Sequence, residues 1–288
     1  MGYFNPNLDE LDFKLYETHD LLKPYIHSYW VVQKEDFEQA MTCKVLSDAS
    51  MGFVFNFADD YSINVNNQNF LCQHKFTIDG PTRYPSYLTF SKSLDLIGVR
   101  FKAAGAYIFF EEEMQSFVDK NIAFESSSAW PLNSLYESLI QKKTNLEKIE
   151  LIENFLIEKL KSSKKKNTPW IFMCINKILS QKGDVSLDLL CIEFDVSIRQ
   201  LERTFKKEIG ISPKLYIRII RMRHAKELLS SLKIKNLTTT AHDTGFFDQA
   251  HFTREFKYFM KETPKSYYQN KLHTTKTCNY KKFPKIDK

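Results

Sequence analysis

A stretch of sixteen residues occurs twice in this chain. Leu201–Tyr216 reads LERTFKKEIGISPKLY, and 51 residues further on Phe252–Tyr267 reads FTREFKYFMKETPKSY. The identical pairs are Arg203/Arg254, Phe205/Phe256, Lys206/Lys257, Pro213/Pro264, Lys214/Lys265 and Tyr216/Tyr267. Upstream, Leu190-Cys191 corresponds to Thr240-Ala241, Asp195 to Gly245 and Ser197 to Asp248, with one extra residue in the second turn. Such a repeat is a strong constraint, because a single supersecondary unit has to serve in both places.

Each copy reads as a short helix, Leu187–Phe194 or Thr238–Asp243, ended by a turn residue, Asp195 or Gly245. A capping side chain, Ser197 or Asp248, then opens a second helix. Cys191 and Ala241 are small and sit one turn before the bend, where two helices approach closely. This spacing predicts a helix-turn-helix, whose second helix can lie in a DNA major groove. Leu201 and Phe205, like Phe252 and Phe256, fall at i, i+4 and face a core. Arg199, Gln200, Glu202 and Arg203 then face away from it, as do Gln249, Ala250, Thr253 and Arg254. A long helix over Pro213–Ser231 carries Leu215, Ile219, Met222, Ala225 and Leu229 on one stripe.

Charge divides the chain at the same place. The net charge of the 288 residues is +6. Residues 1–160 carry 14 basic and 23 acidic residues, a balance of −9, whereas residues 161–288 carry 27 and 12, a balance of +15. An acidic front joined to a strongly basic back implies a regulatory or catalytic module attached to one that binds a polyanion. The apolar-free run Lys161-Ser-Ser-Lys-Lys-Lys-Asn-Thr168 reads as a linker. Thr168 is the expected cap, and Pro169 the first position, of a helix reaching Gln181 and ended by Gly183. The lysine-rich 272–288 stretch lacks periodicity and is expected to be disordered.

The front half reads as β first and helix later. Strands are predicted at Tyr25–Val32, Gly52–Phe57, Phe70–Cys72, Phe76–Ile78, Tyr87–Phe90 and Leu94–Phe101. Phe53, Phe55 and Phe57 share one face, and the asparagine-rich 64–69 stretch is a hairpin tip. Short strands with turns between them suggest a barrel or sandwich. From about Ala103 the pattern turns helical, with Leu132, Leu135 and Leu139, then Leu146, Ile149, Ile152, Phe155 and Leu156, at helical spacing. That stripe could pack on its own barrel or serve as a dimer surface.

Beyond these patterns, the basic half resembles the DNA-binding domain of the AraC/XylS family of bacterial transcription regulators. The resemblance covers about Trp170 to Tyr268. It rests on Ser197, Leu201, Arg203, Phe205-Lys206, Gly210, Ser212-Pro213 and Tyr216, then Arg221, Ala225 and Leu228-Leu229. In the second copy it rests on Ala241, Gly245-Phe246, Asp248-Gln249, His251-Phe252, Arg254, Phe256-Lys257, Thr263-Pro264 and Tyr267. The acidic half is similar, over about Leu22–Phe124, to an N-terminal domain common in such regulators, through Pro24-Tyr25-Ile26, Tyr29-Trp30, Phe53–Asn56, Gly80-Pro81 and Leu96–Phe101. Three positions depart from the family pattern. Lys261 stands where a glycine is usual, as Gly210 does in the first copy; a left-handed lysine costs roughly 1–2 kcal/mol. Thr240 replaces an isoleucine, and Asp195 replaces a turn glycine.

The resemblance implies two recognition helices joined rigidly by the Pro213–Ser231 helix, entering major-groove segments roughly 10 bp or 34 Å apart. Arg199 and Arg203 can fork onto guanine, Gln200 can pair with adenine and Glu202 can accept from cytosine. Gln249 and Arg254 are the base readers of the second helix, with Ala250 and Thr253 beside them. Lys206, Lys257, Lys214 and Lys265 suit phosphates. The N-termini of the first helices, opened by Ser186 and Thr238, offer amides to a phosphate.

Catalytic signatures are absent from the sequence: there is no Walker A loop, GxGxxG, GxSxG or HExxH. His19, His27 and His74 lack partners at metal-ligand spacing, although Cys72 and His74 could share a strand face. Cys43 and Cys72 do not supply the cysteine cluster of a DNA-repair methyltransferase. Glu111-Glu112-Glu113 reads as a solvated face. The five cysteines form no CxxC, so neither disulfides nor a zinc finger are expected, and no cofactor or metal is. MGYFNPNLDELDF is expected to be neither a signal peptide nor a myristoylation site, and no apolar run is long enough for a membrane helix.

The expected fold is therefore multidomain. An α+β front, residues 1–160, combines a β-barrel or cupin-like sheet with helices for sensing or dimerisation. After the 161–168 linker, an all-α domain over residues 169–271 carries two helix-turn-helix units. The expected protein is a cytoplasmic, non-enzymatic transcription regulator of double-stranded promoter DNA. A small-molecule effector, RNA polymerase and a second copy of the chain are further candidate partners. The alternative is a ligand-binding or enzymatic barrel with an accessory nucleic-acid-binding domain. In it Tyr29, Trp30, Phe53, Phe55, Phe57, Phe90 and Phe101 would either enclose an apolar or sugar-like ligand or form plain core.

Overall fold

The structure is a computed structural model that describes residues 12–35, 40–46, 49–73, 75–123, 130–231 and 236–277. The front half contains strands β1 (Lys14–Tyr16), β2 (Ile26–Lys34), β3 (Met41–Val45), β4 (Gly52–Asn56) and β5 (Tyr61–Val65). These are followed by β6 (Gln68–Cys72), β7 (Phe76–Asp79), β8 (Ser86–Phe90), β9 (Leu94–Phe101) and β10 (Asn121–Ala123). They form a six-stranded sheet, β1-β2-β9-β4-β7-β10, and a four-stranded sheet, β3-β8-β5-β6. The β5–β6 hairpin turns at Asn66 and Asn67, with φ of 50° and 65°. Asparagine tolerates this left-handed pair, which a tight hairpin turn demands.

The six-stranded sheet is buried on both faces. Val32, Val54, Leu94 and Leu96 face the smaller sheet, meeting Cys43, Tyr61, Ile63, Val65, Cys72 and Phe90. Tyr29, Phe53, Phe55 and Phe101 face the opposite way. They pack under α1 (Leu132–Ile140) and α2 (Asn145–Ser162), which contribute Leu132, Leu135, Leu139, Ile149, Ile152 and Leu156. Phe57 packs on the edge of this same layer. Most of the aromatics considered as a ligand enclosure are thus core between sheet and helices. Only Phe90 and Trp30 belong to the layer between the sheets. Gly98 makes room for Trp30, since a Cβ there would lie 1.9 Å from the indole.

The helical stripe in α1 and α2 packs on its own sheet, the first of the two alternatives. Leu146 departs from the expectation: it is 49% exposed, in the first turn of α2, between the two residues of the Thr144–Glu147 capping box. The segment after Ala103 also differs. It holds two 3₁₀ turns, Ala106–Ile108 and Met114–Phe117, rather than a helix.

The back half is all-helical: α3 (Ile171–Ser180), α4 (Leu187–Phe194), α5 (Ile198–Glu208), α6 (Pro213–Ser230), α7 (Leu237–Asp243), α8 (Gln249–Met260) and α9 (Pro264–Thr277). Two boundaries differ from expectation. Helix α3 begins after Trp170 without a side-chain cap, and Thr168 uses its hydroxyl elsewhere. Helix α9 continues through Thr277, so residues 272–277 of the supposedly disordered tail are helical; residues 278–288 lie outside the described residues. No helix among the described residues is long and apolar enough to cross a membrane.

Candidate nucleic-acid interface

The two copies fold with matching local chemistry. Asp195 ends α4 in a left-handed conformation (φ 49°), and Gly245 follows α7 with φ 72°. Asp195 tolerates the conformation that its glycine counterpart adopts without strain. In both turns an amide reaches back to the small residue: Val196 N–H donates to the Cys191 carbonyl at 3.0 Å, and Phe246 N–H to the Ala241 carbonyl at 2.9 Å. Those bonds tie each turn back onto the helix that it ends.

The second helices open alike. Ser197 Oγ accepts from Gln200 N–H at 3.2 Å, and Asp248 Oδ1 from His251 N–H at 2.6 Å. They also end alike. Ser212 and Thr263 cap α6 and α9, each with proline at the first helical position. The paired rings Phe205–Tyr216 and Phe256–Tyr267 sit 5.9 and 5.6 Å apart. The first helices differ in one respect from the sequence reading. Asn236, not Thr238, caps α7, while Thr238 donates its hydroxyl to Gln249 Oε1 at 2.7 Å. Ser186 caps α4 as expected.

One continuous core holds both units on α6. Leu201 and Phe205 of α5 and Phe252 and Phe256 of α8 are fully buried there, with Met222, Ala225 and Leu229. A bidentate pair fixes α6 to α8: Arg218 donates to both Glu255 oxygens at 2.8 and 2.9 Å. Arg221 fixes α6 to the loop after α3, donating twice to the Gly183 carbonyl.

With the apolar faces buried, the polar faces point outward as the spacing implied. Arg199, Gln200, Arg203 and Lys206 are exposed on α5, and Glu202 is half-buried. Glu202 lies 3.7 Å from Lys206 on the next turn, so its carboxylate has a neighbour besides any base. On α8, Gln249, Ala250, Arg254 and Lys257 are exposed and Thr253 is half-buried. Thr253 donates its hydroxyl to the Gln249 carbonyl at 2.8 Å, which leaves chiefly its oxygen lone pair for another partner. Lys214 and Lys265 are exposed on the helices that follow. The sequence reading missed Phe247. It is the extra residue of the second turn, it precedes the Asp248 cap, and it is 85% exposed. The one-residue shift between the copies was its signal.

The front half presents different chemistry. Cys72 is buried, donates toward Asn121 Oδ1 at 3.3 Å, and has its thiol pushed up to about 12 by burial and the nearby Asp79. A thiol held that high is not a nucleophile at neutral pH. Asp79 is itself raised to about 6 by burial, against a hydrogen bond from Asn121. His27 is pushed down to about 4 by burial and the charge of Arg100. His19 lies at the surface, with its amide bonded to Glu153. His74, the second half of the proposed Cys–His pair, lies outside the described residues. Among the described residues no group of three or more His, Cys, Asp or Glu could hold a metal ion.

Two family models match the chain, one in each half. A family described as a helix-turn-helix domain matches residues 190–270, and a domain of unknown function, DUF6597, matches residues 14–123. The HTH-type transcriptional activator RhaS of Pectobacterium carotovorum is 31% identical over 83 residues, 29% of either chain. RhaS of Escherichia coli O139:H28 is 28% identical over 88 residues, 31% of either chain. The chain thus covers less than a third of the length of these relatives. Among solved structures, ToxT from Vibrio cholerae aligns with a TM-score of 0.46 at 12% identity, over 84% of this chain and 97% of that one. Residues 190–270 thus match a helix-turn-helix domain, and this part of the chain is similar to the corresponding part of the RhaS activators.

Proposed function

We propose that the protein is a sequence-specific transcription regulator that reads two adjacent major-groove segments of promoter DNA with α5 and α8. The observation that carries this reading is the doubled geometry: two helices, capped and cornered alike, bury Leu201/Phe205 and Phe252/Phe256 in one core and expose basic and amide side chains outward. Arg199, Gln200, Glu202 and Arg203 then meet bases in one groove segment, and Gln249, Ala250, Thr253 and Arg254 in the next. Lys206 and Lys257 meet phosphates. Residues 1–160 act as the input domain, for a small-molecule effector or a second copy of the chain, and RNA polymerase receives the output.

Duplex binding by the purified protein, measured across a salt series, tests this. Affinity is expected to fall steeply with salt, and Lys206→Ala to weaken all sequences alike while reducing the log–log slope by about one. An absence of salt-sensitive duplex binding sinks the reading.

A further inference from the structure

Among the described residues the front domain touches each helix-turn-helix unit where its second helix ends, and the repeat makes those two corners equivalent. Advancing 51 residues carries Lys207 onto Tyr258 and Gly210 onto Lys261, the corners where α5 and α8 end. At the first corner, Gly210 lies under the front domain: a Cβ there would come within 2.9 Å of the Met114 carbonyl and 3.0 Å of Val118. Lys207 Nζ sits 5.5 Å from the centre of the Tyr107 ring. Glu208, buried, accepts from Asn167 Nδ2, Thr168 N–H and Thr168 Oγ1, while Asn167 also donates to the Ala104 carbonyl.

At the second corner, Lys44 of β3 donates to the Met260 carbonyl at 2.6 Å and to Glu262 Oε1 at 3.0 Å. Tyr84 packs on Tyr258, with ring centres 5.8 Å apart. Lys261 is left-handed, with φ 56°. Its ammonium lies 4.7 Å from the centre of the Tyr84 ring and 5.6 Å from that of Tyr258. A glycine would relieve the backbone there, but it could not make the contact. The first corner has no room for a side chain, whereas the second uses one.

We infer that the front domain grips both recognition helices by the same corner, with Lys44, Tyr84 and Lys261 forming the clasp that sets α8 relative to α5, and that the gripped arrangement is the one that binds a bipartite site. Both outward faces support the second part, because Arg199, Gln200, Arg203, Gln249, Ala250 and Arg254 are exposed while both corners are held. Lys44, Tyr84 and Lys261 are positioning residues; they act through the placement of α8. The inference rests on the DNA-binding reading above.

The test uses the full chain and the duplex it selects from a random-sequence pool. Tyr84→Leu, which changes no charge, is expected to weaken the selected duplex roughly tenfold, within the usual range of site-to-site coupling. Its affinity for unselected duplexes should stay within about twofold, because that binding depends on phosphate charge. Lys261→Gly should lose selected-duplex affinity as Tyr84→Leu does, without lowering the melting temperature, since the left-handed strain is gone. Combining the two should cost little more than either alone. Wild-type affinity in Tyr84→Leu, or an equal loss on both kinds of duplex, overturns the clasp. If the unmodified protein binds no duplex, the DNA reading has failed. The clasp is then decided by hydrogen exchange at the α8–α9 corner, faster in Tyr84→Leu if the clasp exists and unchanged if it does not.

Discussion

The first helix-turn-helix unit ends at Gly210 and the second at Lys261, and almost everything else about the two is shared. Caps, turn bonds, ring pairs and the buried positions Leu201/Phe252 and Phe205/Phe256 recur in both copies. The differences gather where each unit meets something other than its twin. The first leans on a buried carboxylate, Glu208, satisfied by the residues just before α3. The second is tied by Lys44–Glu262 and by the Arg218–Glu255 fork. A duplicated unit can thus keep its internal chemistry while each copy acquires its own external supports.

Core truncation should break this comparison most severely. Phe205→Ala and Phe256→Ala each remove a fully buried ring and should each cost roughly 3–5 kcal/mol in chemical denaturation. Because the two rings belong to one continuous core, either variant should lower hydrogen-exchange protection in both units. Protection lost in one unit only would mean that the copies are independent modules.

The reading faces should separate the copies more gently. Arg203→Ala and Arg254→Ala occupy identical repeat positions. Each should cost roughly 1–3 kcal/mol and relax specificity at a single base pair, in different halves of the site. Binding-site selection with each variant would show this. Relaxation at the same base pair in both variants would contradict a bipartite site.

The caps should give the smallest effect. Ser197→Ala and Asp248→Ala each remove one N-cap bond, worth about 1 kcal/mol. Asp248 should cost the more of the two, since its bond is shorter (2.6 against 3.2 Å) and its charge also favours the helix N-terminus. Thermal melts of the two variants compare them directly.

What could be read from the sequence follows from the range over which each feature is decided. Caps, turn residues and i, i+4 core positions are local, so α4, α5, α6 and α8 appear in the sequence almost as they stand in the structure. The strands β1 (KLY), β3 (MTCKV) and β10 (NIA) were not legible, because none has the aromatic and β-branched run that marks the equally short β4, β7 and β8. Strand β5 did carry a signal, since Tyr61, Ile63 and Val65 alternate and are buried, but Asn64, Asn66, Asn67 and Asn69 give the same stretch the composition of a turn. The phenylalanines of β4 were correctly placed on one face, yet which layer that face meets depends on sheet order, which spans the whole front half.

Among the site residues, exposure of the two outward faces followed from helical periodicity alone. The corner residues Lys44, Tyr84 and Glu208 did not, because their partners lie 40 to 218 positions away. Thr168 illustrates the same limit. Its type and place marked it as a cap, but a buried carboxylate 40 residues on competes for its hydroxyl and amide.

The stretch between the two halves has a mechanical consequence. Ser163 donates to the Ile108 carbonyl, Lys165 Nζ rests on the carbonyls of Phe110, Glu111 and Glu112, and Asn167 bridges Ala104 to Glu208. A connector bonded at nearly every second residue is a splint, not a tether. Polymer statistics of effective concentration, which govern flexibly joined modules, do not describe it. Any relative movement of the halves must first peel this strip from its seat. The rate of that peeling, rather than the length of the strip, then sets how quickly one half can respond to the other.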